Sequence, residues 1–309
     1  MTNRHPADRL LGQDILIRAP SNEESVTLAE KLEGYHQPRV IEVRSSQRLA
    51  GILGWRGKGL WIEIDPAHRR RGRGRLALAL WINALLENDD NATIIGPLSA
   101  IAEDFLRRFR FTASADGWTS SEQTRPQIDG LFAVDESRYI QRTHMTLLEM
   151  GIPPDWPAQS KLPLCCEPRA LNSVGKDVFD REQWLRPDAA EAWKKMHNAA
   201  ENDGIDLGLV SAFRSFNYQV DIIKRKMDAG QSMGKILSVS AAPGYSEHHT
   251  GRAIDLTSSG SEPLQEDFEK TKAFQWLEEH AGKFGYRLSY PRDNPHGVAY
   301  EPWHWMFHA

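Results

Sequence analysis

Two short stretches late in the chain hold the residue types that could do chemistry: Ser246-Glu247-His248-His249-Thr250-Gly251-Arg252-Ala253-Ile254-Asp255 and Glu301-Pro302-Trp303-His304-Trp305. His248, Asp255 and His304 offer two imidazoles and one carboxylate, a donor set that suits zinc and leaves a fourth tetrahedral position open. An open position points to catalysis rather than scaffolding. Glu301 stands three residues before His304, and in a straight strand the two would face opposite ways. Pro302 between them favours a bend that brings both to one metal. A carboxylate beside the metal that does not ligate it can take a proton from the attacking water, which is general-base hydrolysis. A closed structural site is disfavoured, because the chain's 2 cysteines, Cys165 and Cys166, lack the spacing of a structural ligand pair.

The elements that must position these groups follow from local pattern. Gly251 permits a tight turn, after which Arg252 to Leu256 alternates as a strand. Gly251, Ala253 and Asp255 then share one face, leaving room for a metal and its substrate, while Ile254 and Leu256 point to a core. Residues 188 to 202 read as a helix. Asp188 would cap it, Glu191 complete a capping box and Gly204 stop it, with Ala189, Ala192, Trp193, Met196 and Ala199 as its apolar stripe. Leu207 to Phe213 reads as a strand that delivers Arg214, Phe268 to His280 as an amphipathic helix, and Tyr286 to Tyr290 as a strand. Trp303 and Trp305 read as packing walls, and His249, His280, His296 and His308 as satisfied polar residues.

The pattern Ser-x-His-x-x-Gly-x-Ala-x-Asp followed by Glu-x-x-His-Trp resembles the VanY-like D-alanyl-D-alanine carboxypeptidases, zinc peptidases that trim bacterial cell-wall peptides. The resemblance covers roughly residues 165 to 309 and includes Ser211-Ala212-Phe213-Arg214-Ser215 and Gln219, with Ala212 where the family has glycine. It implies that His248, Asp255 and His304 bind Zn2+ and that Glu301 is the base. Arg214 would hold the substrate carboxylate by paired charge-assisted hydrogen bonds, and Ser211, Gln219 and Ser246 would line the substrate site.

The first half carries a second signal. Asp14 to Arg18 reads as a strand, Asn22 to Leu32 as a helix, Arg39 to Arg44 and Leu49 to Trp55 as a hairpin, and Leu60 to Ile64 as a further strand. The chain then enters Asp65-Pro-Ala-His-Arg-Arg-Arg-Gly-Arg-Gly74 and the helix Arg75 to Glu87. Strand, glycine-rich loop and helix form a phosphate-cradling layout. Arg69-Arg70-Arg71-Gly72-Arg73-Gly74 resembles the pyrophosphate-binding motif of the GNAT N-acetyltransferases, over roughly residues 12 to 150. The resemblance implies that acetyl-CoA is held by Arg69, Arg71, Gly72, Arg73 and Gly74, and the order continues with strand Thr93 to Gly96, helix Ala102 to Phe109 and a closing strand Arg142 to Leu148. Glu63 is a candidate general base. The sequence departs from the family at Leu106 and Arg110, which replace a tyrosine acid and a glycine.

At 309 residues the chain suits two domains: an acetyltransferase-like domain at 1–150, a proline-rich linker at 151–164 and a zinc D,D-carboxypeptidase-like domain at 165–309, in an α+β fold. A net charge of −4 calls for neither nucleic acid nor an anionic membrane surface as partner. The first twenty residues contain Arg4, Asp8, Arg9, Asp14 and Arg18, without the uninterrupted apolar core of a signal peptide, and no later run is long enough to span a membrane. Adjacent cysteines rarely bridge each other, which fits a reducing compartment. The expectation is a cytoplasmic enzyme that acts on muropeptides or cell-wall precursor peptides. The alternatives are an acetyltransferase acting on muropeptides and a non-catalytic muropeptide sensor.

Overall fold

The computed structural model describes residues 7–57, 59–87, 93–95, 98–115 and 117–308. The chain divides into two compact units, Met1–Tyr139 and Ile140–Ala309, and the fold is mixed α+β.

In the first unit, β1 (Arg9–Leu11), β2 (Ile15–Arg18), β3 (Tyr35–Val43), β4 (Arg48–Arg56) and β5 (Gly59–Ile64) form a continuous antiparallel meander. The helix expected over 22 to 32 is broken at Leu28 into α1 (Asn22–Thr27), started by a Ser21/Glu24 capping box, and α2 (Ala29–Leu32). The buried α3 (Arg73–Leu86) follows the arginine-glycine loop. Next come β6 (Thr93–Ile94), α4 (Ala100–Arg108), β7 (Thr112–Ser114) and β8 (Gly117–Thr119), the three strands pairing in the order β6-β8-β7. Gly96, expected to end a strand, lies outside the described residues.

The strand expected over 142 to 148 does not form. That segment is the last part of α5 (Thr124–Glu149), a 26-residue helix within which the two units divide. Inside the proline-rich stretch sits α6 (Trp156–Ser160), with Pro157 in its first turn where a missing N–H costs nothing.

The second unit continues with β9 (Ala170–Lys176) and β10 (Glu182–Leu185), an antiparallel pair, then α7 (Pro187–Asn202). Asp188 does not cap α7 as expected. Pro187 takes the first helical position, Arg186 the cap, and the Asp188 carboxylate binds the Arg186 guanidinium and accepts from the Ala189 N–H at 2.8 Å. Glu191 pairs with Lys195 instead of reaching back to the helix start.

Then follow β11 (Gly208–Ser211), α8 (Phe216–Asp228), α9 (Met233–Leu237), β12 (Ala253–Thr257), α10 (Lys272–His280), β13 (Tyr286–Leu288) and β14 (His304–Phe307). The four strands form an antiparallel sheet in the order β11-β12-β14-β13. One face of it packs on α7 and α10. Ile254, Leu256, Leu209 and Trp305 bury against Trp193, Met196, Phe274 and Leu277. The alternation of β12 therefore sends Asp255 to the other face, and the register sets Asp255 opposite both Ser211 and His304.

Candidate active site

His248 lies on a 3-10 turn, Glu247–Thr250, that ends at Gly251 with φ +65°. A Cβ at Gly251 would sit 3.0 Å from the Arg186 backbone nitrogen, so the turn into β12 needs glycine for both conformation and space. The turn lowers His248 onto the sheet face that carries Asp255 and His304. All three are nearly fully buried, and one ligand atom from each lies within 4.8 Å of the others.

The hydrogen bonds dictate which ring atoms are available. His248 Nδ1 donates to the Ala212 carbonyl at 2.7 Å, because a carbonyl can only accept, and this leaves Nε2 as a lone pair facing Asp255 Oδ2 at 3.1 Å. His304 lies between two carboxylates, with Nε2 2.9 Å from Glu247 Oε2 and Nδ1 2.9 Å from Asp255 Oδ1. With Nε2–H on Glu247, His304 Nδ1 faces the same buried point as His248 Nε2 and the Asp255 carboxylate. A proton on His304 Nδ1 balances the Asp255 charge, and a metal that displaced it would meet two imidazole nitrogens and a carboxylate, donors that suit zinc. Glu247 then orients His304 and fixes its tautomer, as carboxylates behind ligating histidines do.

The electrostatics follow from the same contacts. Burial alone would depress the His304 imidazole, yet the hydrogen bonds it donates to Asp255 and Glu247 outweigh it and raise it to about 10. Burial likewise opposes ionisation of Asp255 and Glu247, but charges and hydrogen bonds from the histidines hold both below the usual carboxylate range. His248 is pushed down, first by burial. Glu301 goes the other way: burial lifts it to about 7, with the neighbouring Asp255 adding to the rise and His304 opposing it.

Glu301 stands beside the donor cluster, its Oε2 3.9 Å from His304 Nδ1. The bend expected at Pro302 is a tight turn, closed by His304 N–H to the Glu301 carbonyl at 3.1 Å. Arg214 lies 3.8 Å from Asp255 Oδ2. It donates to Gln219 Oε1 at 3.2 Å and to Ser211 Oγ at 3.4 Å, while Gln219 is itself anchored to the Ala241 carbonyl at 2.7 Å. Ser211 and Gln219 therefore aim the guanidinium. Ser246 is buried and lines the cleft. The donor cluster, Glu247, Glu301, Arg214 and Ser246 line one cleft of about 600 Å³, with Ser211 and Gln219 behind Arg214. His249 is a satisfied core residue: Nδ1 bonds the Arg214 carbonyl, Nε2 accepts from Gly244 N–H, and burial pushes its pKa down to about 4.

Sequence reasoning missed Glu247, Tyr290 and Lys226. Glu247 adjoins a ligand candidate, but only the 3-10 turn shows that it reaches His304 and not His248. Tyr290 lies against the His304 ring, centroids 4.9 Å apart. Glu247→Gln retains size and loses the charge behind His304, so it should weaken metal affinity about 10- to 100-fold. Titration against a competing chelator checks this, and unchanged affinity would remove Glu247 from the metal environment.

In the first unit the loop residues occupy a separate site. Gly72, φ +74°, caps α3, and Gly74 packs closely on Ile64 of β5. Arg71 is exposed, Arg69 Nε donates to the Ile64 carbonyl at 3.1 Å, and Arg73 is turned inward onto Asp14 at 2.7 Å and His68 at 2.8 Å. Glu63 is exposed and accepts from the Tyr35 hydroxyl at 3.1 Å.

Comparison with known proteins reaches the second unit. Residues 182–309 match the family model of the VanY D-alanyl-D-alanine carboxypeptidases. YodJ of Bacillus subtilis (strain 168) is 35% identical over 127 residues, 40% of this chain and 46% of that protein. A D-alanyl-D-alanine carboxypeptidase of Enterococcus faecium is 31% identical over 133 residues, 42% of this chain and 39% of its own length. Among solved structures, the LD-carboxypeptidase LdcB is 32% identical, with a TM-score of 0.43, covering 47% of this chain and 71% of that one. The chain spans less than half the length of these curated relatives. Its C-terminal part is similar in sequence to the VanY D-alanyl-D-alanine carboxypeptidases. No helix among the described residues is long and apolar enough to cross a membrane.

Proposed function

We propose that the second unit is a zinc-dependent D-alanyl-D-alanine carboxypeptidase that removes the C-terminal D-alanine of peptidoglycan-type peptides. The observation that carries this reading is the convergence of three buried ligand atoms, a carboxylate and a guanidinium on one cleft. His248, Asp255 and His304 would hold the metal, which when bound polarises a carbonyl and makes water more acidic.

The chain's own residues supply the rest. Arg214, held by Ser211 and Gln219, grips the terminal carboxylate and so fixes which peptide bond lies at the centre. Glu301, lifted toward neutrality by burial, takes one proton from the attacking water as the C–O bond forms. It returns that proton to the amide nitrogen as the C–N bond breaks, leaving a shortened peptide acid and free D-alanine. Trp303, half-buried over the core, forms part of the cleft wall.

The test is to remove the substrate's charge. A charge-assisted bidentate pair contributes about 1.5–3 kcal/mol, so a C-terminally amidated pentapeptide should lose on the order of ten- to a hundred-fold in kcat/KM. Arg214→Ala should erase most of that difference. Equal cleavage of acid and amide, or internal cleavage, would make the protein an endopeptidase and end the carboxypeptidase reading.

For the first unit the same logic supports a separate reading, that it binds acetyl-CoA at the 69–74 loop. What favours it is an exposed Arg71 ahead of a positive-φ glycine at the N-terminus of a 14-residue helix. Arg73 is engaged by Asp14, so pyrophosphate contacts would fall to backbone N–H groups, Arg69 and Arg71. Calorimetry of the full chain with acetyl-CoA should give saturable heat that Arg71→Ala weakens. No heat at millimolar ligand removes the reading. With Leu106 buried in place of the tyrosine acid, transfer is expected to be slow.

A further inference from the structure

One cation in the cleft is not used by the chemistry above. Lys226, on α8, lines the same cleft as the donor cluster, Glu301 and Arg214. Its Nζ donates to Ser240 Oγ at 2.6 Å, a neutral partner. No ion pair joins it to a carboxylate among the described residues. Burial and the nearby Arg214 charge both disfavour its protonated form, with nothing acidic to offset them. A lysine serving solubility would extend into water. This one is tethered by a hydroxyl inside an electropositive part of a substrate cleft.

The arrangement separates Lys226 from the task given to Arg214. Gln219, which aims Arg214, and Lys226 are seven residues apart on the same face of α8, about 10 Å along its axis. They are fastened to different points of the facing segment, Gln219 to the Ala241 carbonyl and Lys226 to Ser240 Oγ. The carboxylates of the cleft, Glu247, Asp255 and Glu301, gather at the metal end. The positive end is left for the substrate to complement.

Resting on the carboxypeptidase reading, we infer that Lys226 is a specificity residue that reads a second carboxylate of the peptide, on a side chain, in addition to the C-terminal carboxylate held by Arg214. The preferred substrates are thus dicarboxylic peptides. A strongly hydrated, flexible ammonium suits this role, since it accepts a carboxylate without demanding bidentate geometry. The second carboxylate has two possible sources, the terminal residue's own side chain or that of the residue third from the end.

The test uses the metal-loaded full chain and two peptide pairs at fixed ionic strength. One pair ends in D-glutamate or D-glutamine; the other ends in D-Ala-D-Ala preceded by glutamate or glutamine. In one pair the carboxylate form should be preferred about tenfold in kcat/KM, mainly through KM, and that pair identifies the source. Lys226→Met should bring the ratio close to one, and Lys226→Arg should restore most of it. Equal rates within both pairs for the wild type overturn the inference while leaving the carboxypeptidase reading in place, as does a preference that survives in Lys226→Met. Loss by the same factor on acid and amide forms assigns Lys226 to the terminal carboxylate and also overturns it. If no peptide loses its terminal residue, the reading beneath falls, and the inference with it.

Discussion

Glu301→Gln is expected to bind one metal ion per chain as the wild type does, and to turn over peptide about 10²- to 10⁴-fold more slowly. Glutamine keeps the size of the side chain, so the tight turn through Pro302 and its bond from His304 N–H to the residue 301 carbonyl should persist. What is lost is a group that can accept a proton 3.9 Å from His304 Nδ1. The loss should fall on kcat rather than KM, because Glu301 acts as the bond rearranges and Arg214 carries the binding. Metal content by elemental analysis and single-turnover rates check the two halves separately. Near wild-type turnover would move the base elsewhere in the cleft.

His248→Ala is expected to lose both metal and activity. The substitution deletes the Nε2 that faces Asp255 at 3.1 Å and leaves the Ala212 carbonyl without its 2.7 Å donor. Two ligands remain, too few for a tight site. A binding ion stabilises the wild type by about 2.7 kcal/mol at a hundredfold excess over its dissociation constant, a shift of several degrees in Tm. The variant should show no such shift when zinc is added. A variant that still melted higher with zinc, at equal stoichiometry, would show that His248 is not a ligand.

Much of this site could be read from the residues because its geometry is short-range. The alternation of Arg252 to Leu256 fixed which face Asp255 occupies, and Gly251 and Pro302 announced the two bends flanking it. The register that sets Asp255 opposite His304 needed the sheet itself, since it joins residues 49 apart. Glu247 and Lys226 were missed for the same reason, as each acquires its partner only when a turn or a helix face meets a distant segment.

The error at 142 to 148 has a different origin. That strand was expected from the element order of the resembled acetyltransferases and not from the residues themselves. Over the longer run Ile128, Phe132, Tyr139, Thr143 and Leu147 are the buried positions, and that is a helical period. At α7, the expected Asp188 cap gave way to Pro187 at the first helical position, because Arg186 sat close enough to take the carboxylate.

The central claim is that these residues form a metal-dependent carboxypeptidase centre. The most direct measurement is mass spectrometry of a pentapeptide ending in D-Ala-D-Ala, incubated with the full chain after chelation and again after one equivalent of zinc is restored. The account predicts loss of a single terminal D-alanine, absent in the stripped protein and recovered in proportion to bound zinc. Equal release by stripped and reloaded protein, or an intact peptide after reloading, would contradict it.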